Sequence, residues 1–334
     1  MNRWGRLLVM LTFLFPAACA PTLKPPGPAT IEPRLEAEAI VTADEARLPY
    51  RRWLPADGQP VKAVIVALHG MNDYSNAFDG PGKYLAARGV AVYAYDQRGF
   101  GQGPWPSYWA GEEAMTNDLS TALRLIGGRH PGVPLYAMGE SMGGAVVMRT
   151  MTSAHPPAVS GVILSAPAVW GRDDMNIFER SALWMTSHVL PWMTLTGEGL
   201  NVAPSDNIEM LRALSRDPLV IKETRVDTIH GLVDLMTNAQ NCADRLATPA
   251  LVLYGEHDEV IPAAPSYRMM SRLAGGDSQV KAVYANGYHM LLRDLQAQVV
   301  LADIAAWIDA PHAPLPSGAD RRAENNLTSI RFNP

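Results

Sequence analysis

The chain of 334 residues lacks a block of basic residues, since 28 Lys and Arg stand against 33 Asp and Glu and the net charge is −5. Proteins that bind nucleic acid usually carry a basic patch or stripe, so this composition argues against a nucleic-acid partner. The apolar run near the N-terminus, residues 7–15, is too short to span a bilayer as a helix. No internal repeat is evident.

The sequence also lacks the usual signatures of cofactor and metal sites. It contains neither a Walker loop nor an HExxH zinc helix. The glycine-rich stretch "RGFGQGPW" follows a predicted strand, but Pro104 stands where a dinucleotide-binding fingerprint needs its third glycine. We therefore expect no cofactor and no metal.

The first residues have the organisation of a targeting segment. Two arginines precede the apolar run, and the small residues of "PAACA" follow it. Cys19, directly after two alanines, resembles the lipidated cysteine of a bacterial lipoprotein signal, although Pro16 stands where that signal usually has an aliphatic residue. The alternative is a secretory signal cleaved near Ala18 or Ala20. Either reading predicts an exported protein, and lipidation predicts a membrane anchor on the periplasmic or cell-surface face.

Cysteine is nearly absent from the remainder of the chain. With Cys19 lipidated, only Cys242 remains, which excludes an intramolecular disulfide and favours a buried, small apolar role for that thiol. The proline-rich stretch "APTLKPPGPATIEP" has no periodicity and is interpreted as a tether to a membrane. The C-terminal residues 311–334 are polar, and are interpreted as a mobile tail, or else as a short docked helix or strand.

Apolar, β-branched runs alternate with helical stretches through most of the chain. Such runs are typical of strands buried on both faces, and alternating βαβ units predict a parallel sheet flanked by helices. The runs are "AVIVALHG", "VAVYAYDQRGFG", "PLYAMGES", "VSGVILSAPA", "TPALVLYGEHD" and "SQVKAVYANGYH". Two leading strands, around "EAEAIVTADEARLPYRRWLP", are predicted to be antiparallel.

Residues 169–243 interrupt this alternation because they contain no buried-strand pattern. They are rich in Trp and Met with helical spacing in parts. We interpret them as a helical insertion of some seventy residues between two strands. It is either an ordinary packed subdomain or a cap whose Met side chains line an apolar pocket over a site.

The stretch "YAMGESMGGAVVM" is typical of a nucleophile elbow. Ser141 lies between Gly139 and Gly143, where a predicted strand (residues 133–138) passes into a small-residue helix (residues 144–151). A serine on so sharp a turn needs small neighbours two residues away on each side. The alternative is a glycine-rich turn that happens to contain serine.

A serine nucleophile requires a base, an acid that orients the base, and donors for the oxyanion. Asp258 follows one later strand and His289 the next, which is the Ser–Asp–His order of α/β-hydrolase sheets. Other carboxylates remain open as the acid: Glu256, Glu259, Asp173 and Asp174. His69, at a strand end before a glycine, is assigned to a turn rather than to the base.

Six motifs together resemble the monoacylglycerol lipase and lysophospholipase group of α/β-hydrolases. They are "LHGMND", "DQRGFGQG", "GESMGG", "SRDPLV", "YGEHDEVIP" and "GYHMLLRD", and the match covers most of the stretch from Tyr50 to Ile308. The resemblance implies an α/β-hydrolase fold with Ser141, Asp258 and His289 as the catalytic triad. Gly103, in place of a frequent serine, and the lipoprotein-like leader depart from the group.

The oxyanion hole of this fold uses one amide from the loop after an early strand and one from the residue after the nucleophile. These are the backbone N–H groups of Met71 and Met142. The resulting domain interpretation is a signal peptide (1–18), a tether (19–33), an α/β-hydrolase domain (34–310) with its cap at about 169–243, and the tail (311–334).

The resemblance implies a serine hydrolase that cleaves carboxylic esters of single-chain lipids, monoacylglycerols or lysophospholipids, through an acyl-enzyme on Ser141. Two groups of alternatives remain open. One is an amidase, peptidase or short-chain carboxylesterase that uses the same triad; a cap carboxylate (Glu179, Glu198, Glu209 or Glu223) that reads a substrate amine would favour a peptidase. The other is a non-catalytic lipid-binding lipoprotein.

Overall fold

The computed structural model describes residues 20–197, 199, 201–274 and 276–332, with side chains up to residue 328. The predicted signal peptide, Cys19 and Glu198 lie outside the described residues. Within these ranges a large mixed sheet forms the centre of the molecule. Its strands are β1 (Arg34–Leu35), β2 (Ala39–Val41), β3 (Arg47–Trp53), β4 (Ala63–Leu68), β5 (Val90–Tyr95), β6 (Leu135–Glu140) and β7 (Gly161–Ser165), followed by β10 (Ala250–Gly255) and β11 (Gln279–Tyr284). A small separate ribbon pairs β8 (Thr194–Thr196) with β9 (Glu223–Arg225).

The spatial order of the large sheet is β1-β2-β3-β5-β4-β6-β7-β10-β11. Strand β1 pairs antiparallel with β2, β2 with β3, and β3 with β5. All the other pairings are parallel. The parallel strands are buried along nearly their whole length, as their uninterrupted apolar runs predict, and their carboxyl ends meet at one edge.

Helices cover both faces of this sheet, which confirms the predicted α/β class. They are α1 (Asp79–Ala86), α2 (Glu112–Arg129), α3 (Met142–Met151), α4 (Ile177–Val189), α5 (Ile208–Arg216), α6 (Val226–Asn241), α7 (Ala263–Arg272), α8 (Ala297–Asp309) and α9 (Ala319–Phe332). The buried apolar residues form two clusters. One cluster includes residues of α2 and α3, the other residues of α1 and α8. No described helix has both the length and the apolar character that a membrane span requires.

The insertion between β7 and β10, hereafter the cap (residues 169–243), contains α4, α5 and α6 together with the β8–β9 ribbon. The ribbon is short and has no fully buried residue, which agrees with the absence of a buried-strand pattern in this stretch. Cys242 lies at the end of α6, fully buried and with a free thiol, as the composition predicts.

The chain ends depart from the simplest interpretation of their composition. Residues 20–33, hereafter the strap, lie along the body through backbone hydrogen bonds of Lys24 to Trp109 and of Thr30 to Ala43. Proline-rich chain has few local interactions, so non-local contacts such as these position it. At the other end the docked-helix alternative is observed, because α9 packs on the edge strand β11 with Ala323 fully buried.

Candidate active site

Ser141 occupies a sharp turn between β6 and α3. Its backbone has φ 53° and ψ −117°, a conformation that is uncommon for a residue with a side chain and costs on the order of 1–3 kcal/mol. Two hydrogen bonds hold the turn: the Ser141 amide donates to the Ser165 carbonyl, and the Ala168 amide donates to the Ser141 carbonyl, both at 2.9 Å. The elbow predicted from the sequence is therefore the observed geometry.

The glycines that flank the elbow are required by close backbone approach. A Cβ at Gly139 would lie 2.3 Å from the carbonyl of Gly143, and a Cβ at Gly143 would lie 2.3 Å from the carbonyl oxygen of Leu68. Backbone atoms cannot move aside as a flexible side chain could. The turn thus forms only with hydrogen at both positions, which explains the pattern in physical terms.

The acid and the base meet at the same sheet edge. Asp258 lies in the loop after β10 and His289 in the loop after β11, and His289 Nδ1 lies 2.9 Å from Asp258 Oδ2. The other oxygen of Asp258 accepts the amides of Val260 and Ile261, each at 2.9 Å. The carboxylate is thereby fixed in orientation, and its bond to Nδ1 turns Nε2 of the ring away from the acid.

The rival carboxylates are engaged elsewhere. Glu256 accepts a hydrogen bond from Asn326, and Glu259 accepts the amide of Ala203 at the rim of the cap. In the cap, Asp174 pairs with Arg268 and the exposed Asp173 lies near Arg180. Of the four alternatives and Asp258, only Asp258 contacts His289.

Ser141 lies at this same edge, at the carboxyl end of β6. No direct hydrogen bond joins its hydroxyl to His289 among the described residues. Such bonds are often long in free enzymes and shorten when substrate binds. All three side chains are buried, with exposed fractions of 5–9%, so little water competes for these groups.

The electrostatic surroundings of His289 favour its protonated form. Burial alone would lower the pKa of the imidazole, but the charge and hydrogen bond of Asp258, together with the carboxylate of Glu140, outweigh that effect. The pKa of His289 is therefore raised above its ordinary value. A base that readily holds a proton suits the removal of a hydroxyl proton.

The amides of Met71 and Met142 are available as donors. Met142 is the first residue of α3, where a helix leaves its N–H groups without intrahelical acceptors. Met71 follows Gly70 in the loop after β4. Within the described ranges neither amide donates to a protein acceptor. Both amides are therefore free to donate to an oxyanion.

His69 is structural, as its position before a glycine predicts. It is fully buried, its Nδ1 bonds the carbonyl of Gly70 at 2.8 Å, and its Nε2 accepts the amide of Gln97 at 3.0 Å. Burial lowers the pKa of the ring. A neutral imidazole with both nitrogens occupied ties the Met71 loop to the loop after β5.

A buried charge cluster beside the elbow was not predicted from the sequence. Arg293 donates to Asp73 at 2.7 Å and to Glu140 at 3.1 Å. Asp73 belongs to the Met71 loop, Glu140 directly precedes Ser141, and Arg293 follows His289 by four residues. One guanidinium thus connects the three segments that carry donor, nucleophile and base. The only sequence signal is the charged "RD" that ends the apolar "GYHMLLRD".

The cap is bonded to these same loops. Asn72 donates to Thr224 at 2.6 Å, and Tyr74 donates to Asp217 at 2.7 Å. On the other side, the amide of Met290 donates to the carbonyl of Pro204 at 2.9 Å. The cap therefore lies over the strand edge that contains Ser141. No group of three or more His, Cys, Asp or Glu in the described residues has the geometry of a metal site.

The sequence profile of one family, Hydrolase_4, described as serine aminopeptidase, S33, matches residues 59–296. The monoacylglycerol lipase of Mycolicibacterium smegmatis is 28% identical over 274 residues, which cover 78% of this chain and 92% of that protein. The monoglyceride lipase of Mus musculus is 28% identical over 280 residues, covering 80% of this chain and 89% of that protein.

A solved structure has a similar fold. It is a soluble variant of monoglyceride lipase from Saccharomyces cerevisiae in complex with a substrate analogue, with a TM-score of 0.70 and 20% sequence identity. The match covers 87% of this chain and 99% of that one. At 20% sequence identity, this similarity supports the assignment of the fold.

Proposed function

Because the chain belongs to the Hydrolase_4 family, we propose that it is a serine hydrolase that cleaves the carboxylic ester of single-chain lipids, with monoacylglycerols or lysophospholipids as substrates. The observation that carries the proposal is the strained Ser141 elbow at the same edge as the His289–Asp258 pair. A strained serine beside an oriented imidazole has little structural use of its own.

The geometry suits acyl transfer in two steps. His289 Nε2 accepts the hydroxyl proton of Ser141 while Oγ bonds to the ester carbonyl carbon, and Asp258 stabilises the imidazolium. The amides of Met71 and Met142 stabilise the oxyanion. Collapse of the tetrahedral intermediate releases the alcohol, which takes the proton from His289. Water then attacks the acyl-enzyme by the same route and frees the fatty acid.

The peptidase alternative receives no support from the cap carboxylates. Glu179 is committed to capping α4 through the amide of Asn176. Glu223 is exposed and accepts from Thr194, and Glu209 is exposed on α5. The fourth, Glu198, lies outside the described residues. The peptidase alternative is supported only by the description of the family as serine aminopeptidase. The assay must therefore test for aminopeptidase activity.

The test is fatty-acid release from a monoacylglycerol and a lysophospholipid series, beside amine release from an aminoacyl arylamide. We expect ester turnover, and we expect Ser141→Ala to reduce kcat at least 1000-fold. Ser153→Ala, an exposed serine beyond α3, is the matched control and should leave kcat unchanged. Amine release without fatty-acid release would replace the esterase by the peptidase.

The proposal extends to location: export, with lipidation at Cys19 as the membrane anchor. The leader described above supports it. Growth with a fatty-acid label should give a labelled protein in the membrane fraction, and Cys19→Ala should abolish the label. If the wild type and Cys19→Ala are both exported as soluble, unlabelled proteins, the result would instead favour cleavage near Ala18 or Ala20.

A further inference from the structure

The loop that carries the Met71 amide is a tight turn after β4. The amide of Asp73 donates to the carbonyl of Gly70 at 3.3 Å, and Asn72 has a φ of 65°. A left-handed residue at the third position of a turn is usually glycine or asparagine, because other side chains are strained there. The loop lies against the nucleophile, since a Cβ at Gly70 would be 3.3 Å from the Cβ of Ser141. The conformation of this turn therefore sets where the Met71 N–H lies relative to the nucleophile.

The body of the molecule holds this turn on the N-terminal side of Met71. His69 Nε2 accepts the amide of Gln97, so the proton of the neutral ring is on Nδ1, which donates to the Gly70 carbonyl at 2.8 Å. That carbonyl and the Met71 N–H belong to one planar trans peptide unit and point in opposite directions. The contact with His69 therefore directs the Met71 N–H away from the ring.

The cap holds the turn on the other side, through Asn72. The carbonyl of Asn72 accepts the amide of Ile221 at 2.9 Å, and its carboxamide donates through Nδ2 to the Thr224 hydroxyl at 2.6 Å. Tyr74, two residues further along, donates to Asp217 at 2.7 Å. Three hydrogen bonds thus join the cap to the residues that directly follow the oxyanion donor.

The cap partners of this loop lie in one short segment, residues 217–224, hereafter the cap turn. The Lys222 ammonium donates to three backbone carbonyls within and just before the cap turn, at 2.6 to 2.9 Å, so the segment is bonded internally. Its last residues belong to β9, and α6 follows directly. Helix α6 packs against α3, whose first residue, Met142, carries the other available amide. The cap therefore contacts both segments that carry oxyanion donors.

We propose that Asn72 is a positioning residue through which the docked cap holds the amide of Met71, so that the oxyanion hole is complete only while the cap turn is bonded to this loop. The proposal rests on the proposed function, because it concerns the oxyanion of that reaction. Met71 lies between a residue held by the body and a residue held by the cap, so loss of the cap contact releases one end of its backbone. A donor stabilises an oxyanion best when it is oriented before the charge develops.

The side chain of Asn72 connects the turn to the cap in a way that glycine could not. Glycine adopts a positive φ without strain, but it has no group that could reach Thr224. The other carboxamide atom of Asn72, Oδ1, is buried and makes no hydrogen bond within the described part of the chain. There, the bond to Thr224 is the only hydrogen bond of this carboxamide. Its removal from either side therefore tests the contact alone.

The first experiment breaks the contact from the cap side and measures hydrolysis of a water-soluble p-nitrophenyl ester. Thr224→Val removes the hydroxyl and keeps a β-branched side chain, whereas Thr224→Ser keeps the hydroxyl. We expect Thr224→Val to lower kcat about 10-fold or more with KM changed less than about twofold, because loss of a whole oxyanion donor costs about 100- to 1000-fold in kcat. Thr224→Ser should restore most of the lost kcat. Thr196→Val, exposed on the same ribbon, is the matched control and should leave kcat unchanged.

The second experiment asks whether the two residues act as one pair. Asn72→Gly removes the carboxamide and still permits the same backbone conformation. We expect a loss of kcat at least as large as that of Thr224→Val, and no further loss when Thr224→Val is added to Asn72→Gly, because both changes remove one contact. Losses that multiply in the double variant would show that the residues act independently. That result, or an unchanged kcat in Thr224→Val, would overturn the proposal.

The pH profile distinguishes positioning of the donor from a general disturbance of the site. The acid limb of kcat/KM follows the protonation of His289, which is not a partner of Asn72 or Thr224. We expect the limb to lie at the same pH in Thr224→Val as in the wild type. A limb that moves together with the loss of kcat would show that the change disturbs the whole site, and would overturn the proposal.

The rate constant for inactivation by a fluorophosphonate separates this proposal from the proposed function. The phosphonyl oxygen of the probe takes the place of the oxyanion, so the rate constant should fall in parallel with kcat in Thr224→Val and Asn72→Gly. If the wild type neither hydrolyses esters nor reacts with the probe, the proposed function fails, and this proposal fails with it. If the wild type reacts and both variants react equally fast, only the positioning role of Asn72 is overturned.

Discussion

At the residue scale, the sequence was sufficient for the nucleophile, the acid and the base as candidates, because chain order and strand ends are local properties. Asp258 and His289 are only 31 positions apart and each directly follows a strand. Arg293 could not be found in this way. Its partners lie 220 and 153 positions away, and only the folded sheet edge brings such distant charges together.

The raised pKa of His289 predicts the pH dependence of ester hydrolysis. The imidazole must be neutral to accept the Ser141 proton, so kcat/KM falls as pH falls through this pKa. Because the pKa is raised, we expect the acid limb to lie above about 6.5, the ordinary value for histidine. A pH profile of kcat/KM measures the limb directly. A limb well below that value would contradict the electrostatic description of the site.

Glu140→Gln tests the buried charge cluster. The carboxylate of Glu140 raises the pKa of His289, so its removal should shift the acid limb of kcat/KM to lower pH. Glutamine keeps the shape and still accepts from Arg293. Asp118→Asn, which alters a buried carboxylate paired with Arg98, is the control and should leave the limb in place. If the acid limb of kcat/KM lies at the same pH in Glu140→Gln and Asp118→Asn, Glu140 has only a structural role.

At the element scale, the parallel strands and their helices were predictable because buried runs and small-residue helices carry clear periodicity. The strap was not, since a proline-rich stretch without periodicity resembles a free tether. Its position depends on contacts such as Thr22 with Asp227, 205 residues apart. The elbow is the opposite case, in which two glycines around a serine, between a predicted strand and a predicted small-residue helix, are close enough in the chain to indicate the turn.

The elbow predicts unequal effects of two Gly→Ala changes. Gly143→Ala places a Cβ 2.3 Å from the Leu68 carbonyl oxygen, and we expect it to destabilise the fold by about 3 kcal/mol or to prevent folding. Gly128→Ala in α2 meets nothing within 4 Å and should stabilise the fold by up to about 1 kcal/mol. Urea unfolding of both variants gives the comparison. Similar midpoints for the two would contradict the close packing at the elbow.

At the scale of the whole molecule, the cap, the strap and the sheet edge are one connected structure. The cap bonds the loops of Met71 and His289, and the strap bonds the cap at Asp227. The cap as an insertion was predictable from the interruption of the βαβ pattern. Its contacts with the catalytic loops were not, because they join residues from separate parts of the chain.

The most direct measurement for this account is the site of covalent modification by a fluorophosphonate, mapped by mass spectrometry and followed together with ester hydrolysis. An activated Ser141 predicts one adduct per chain on the peptide that contains Ser141, loss of turnover in proportion, and no adduct in Ser141→Ala. Ester hydrolysis that persists without an adduct at Ser141, or with the adduct on another residue, would contradict the account.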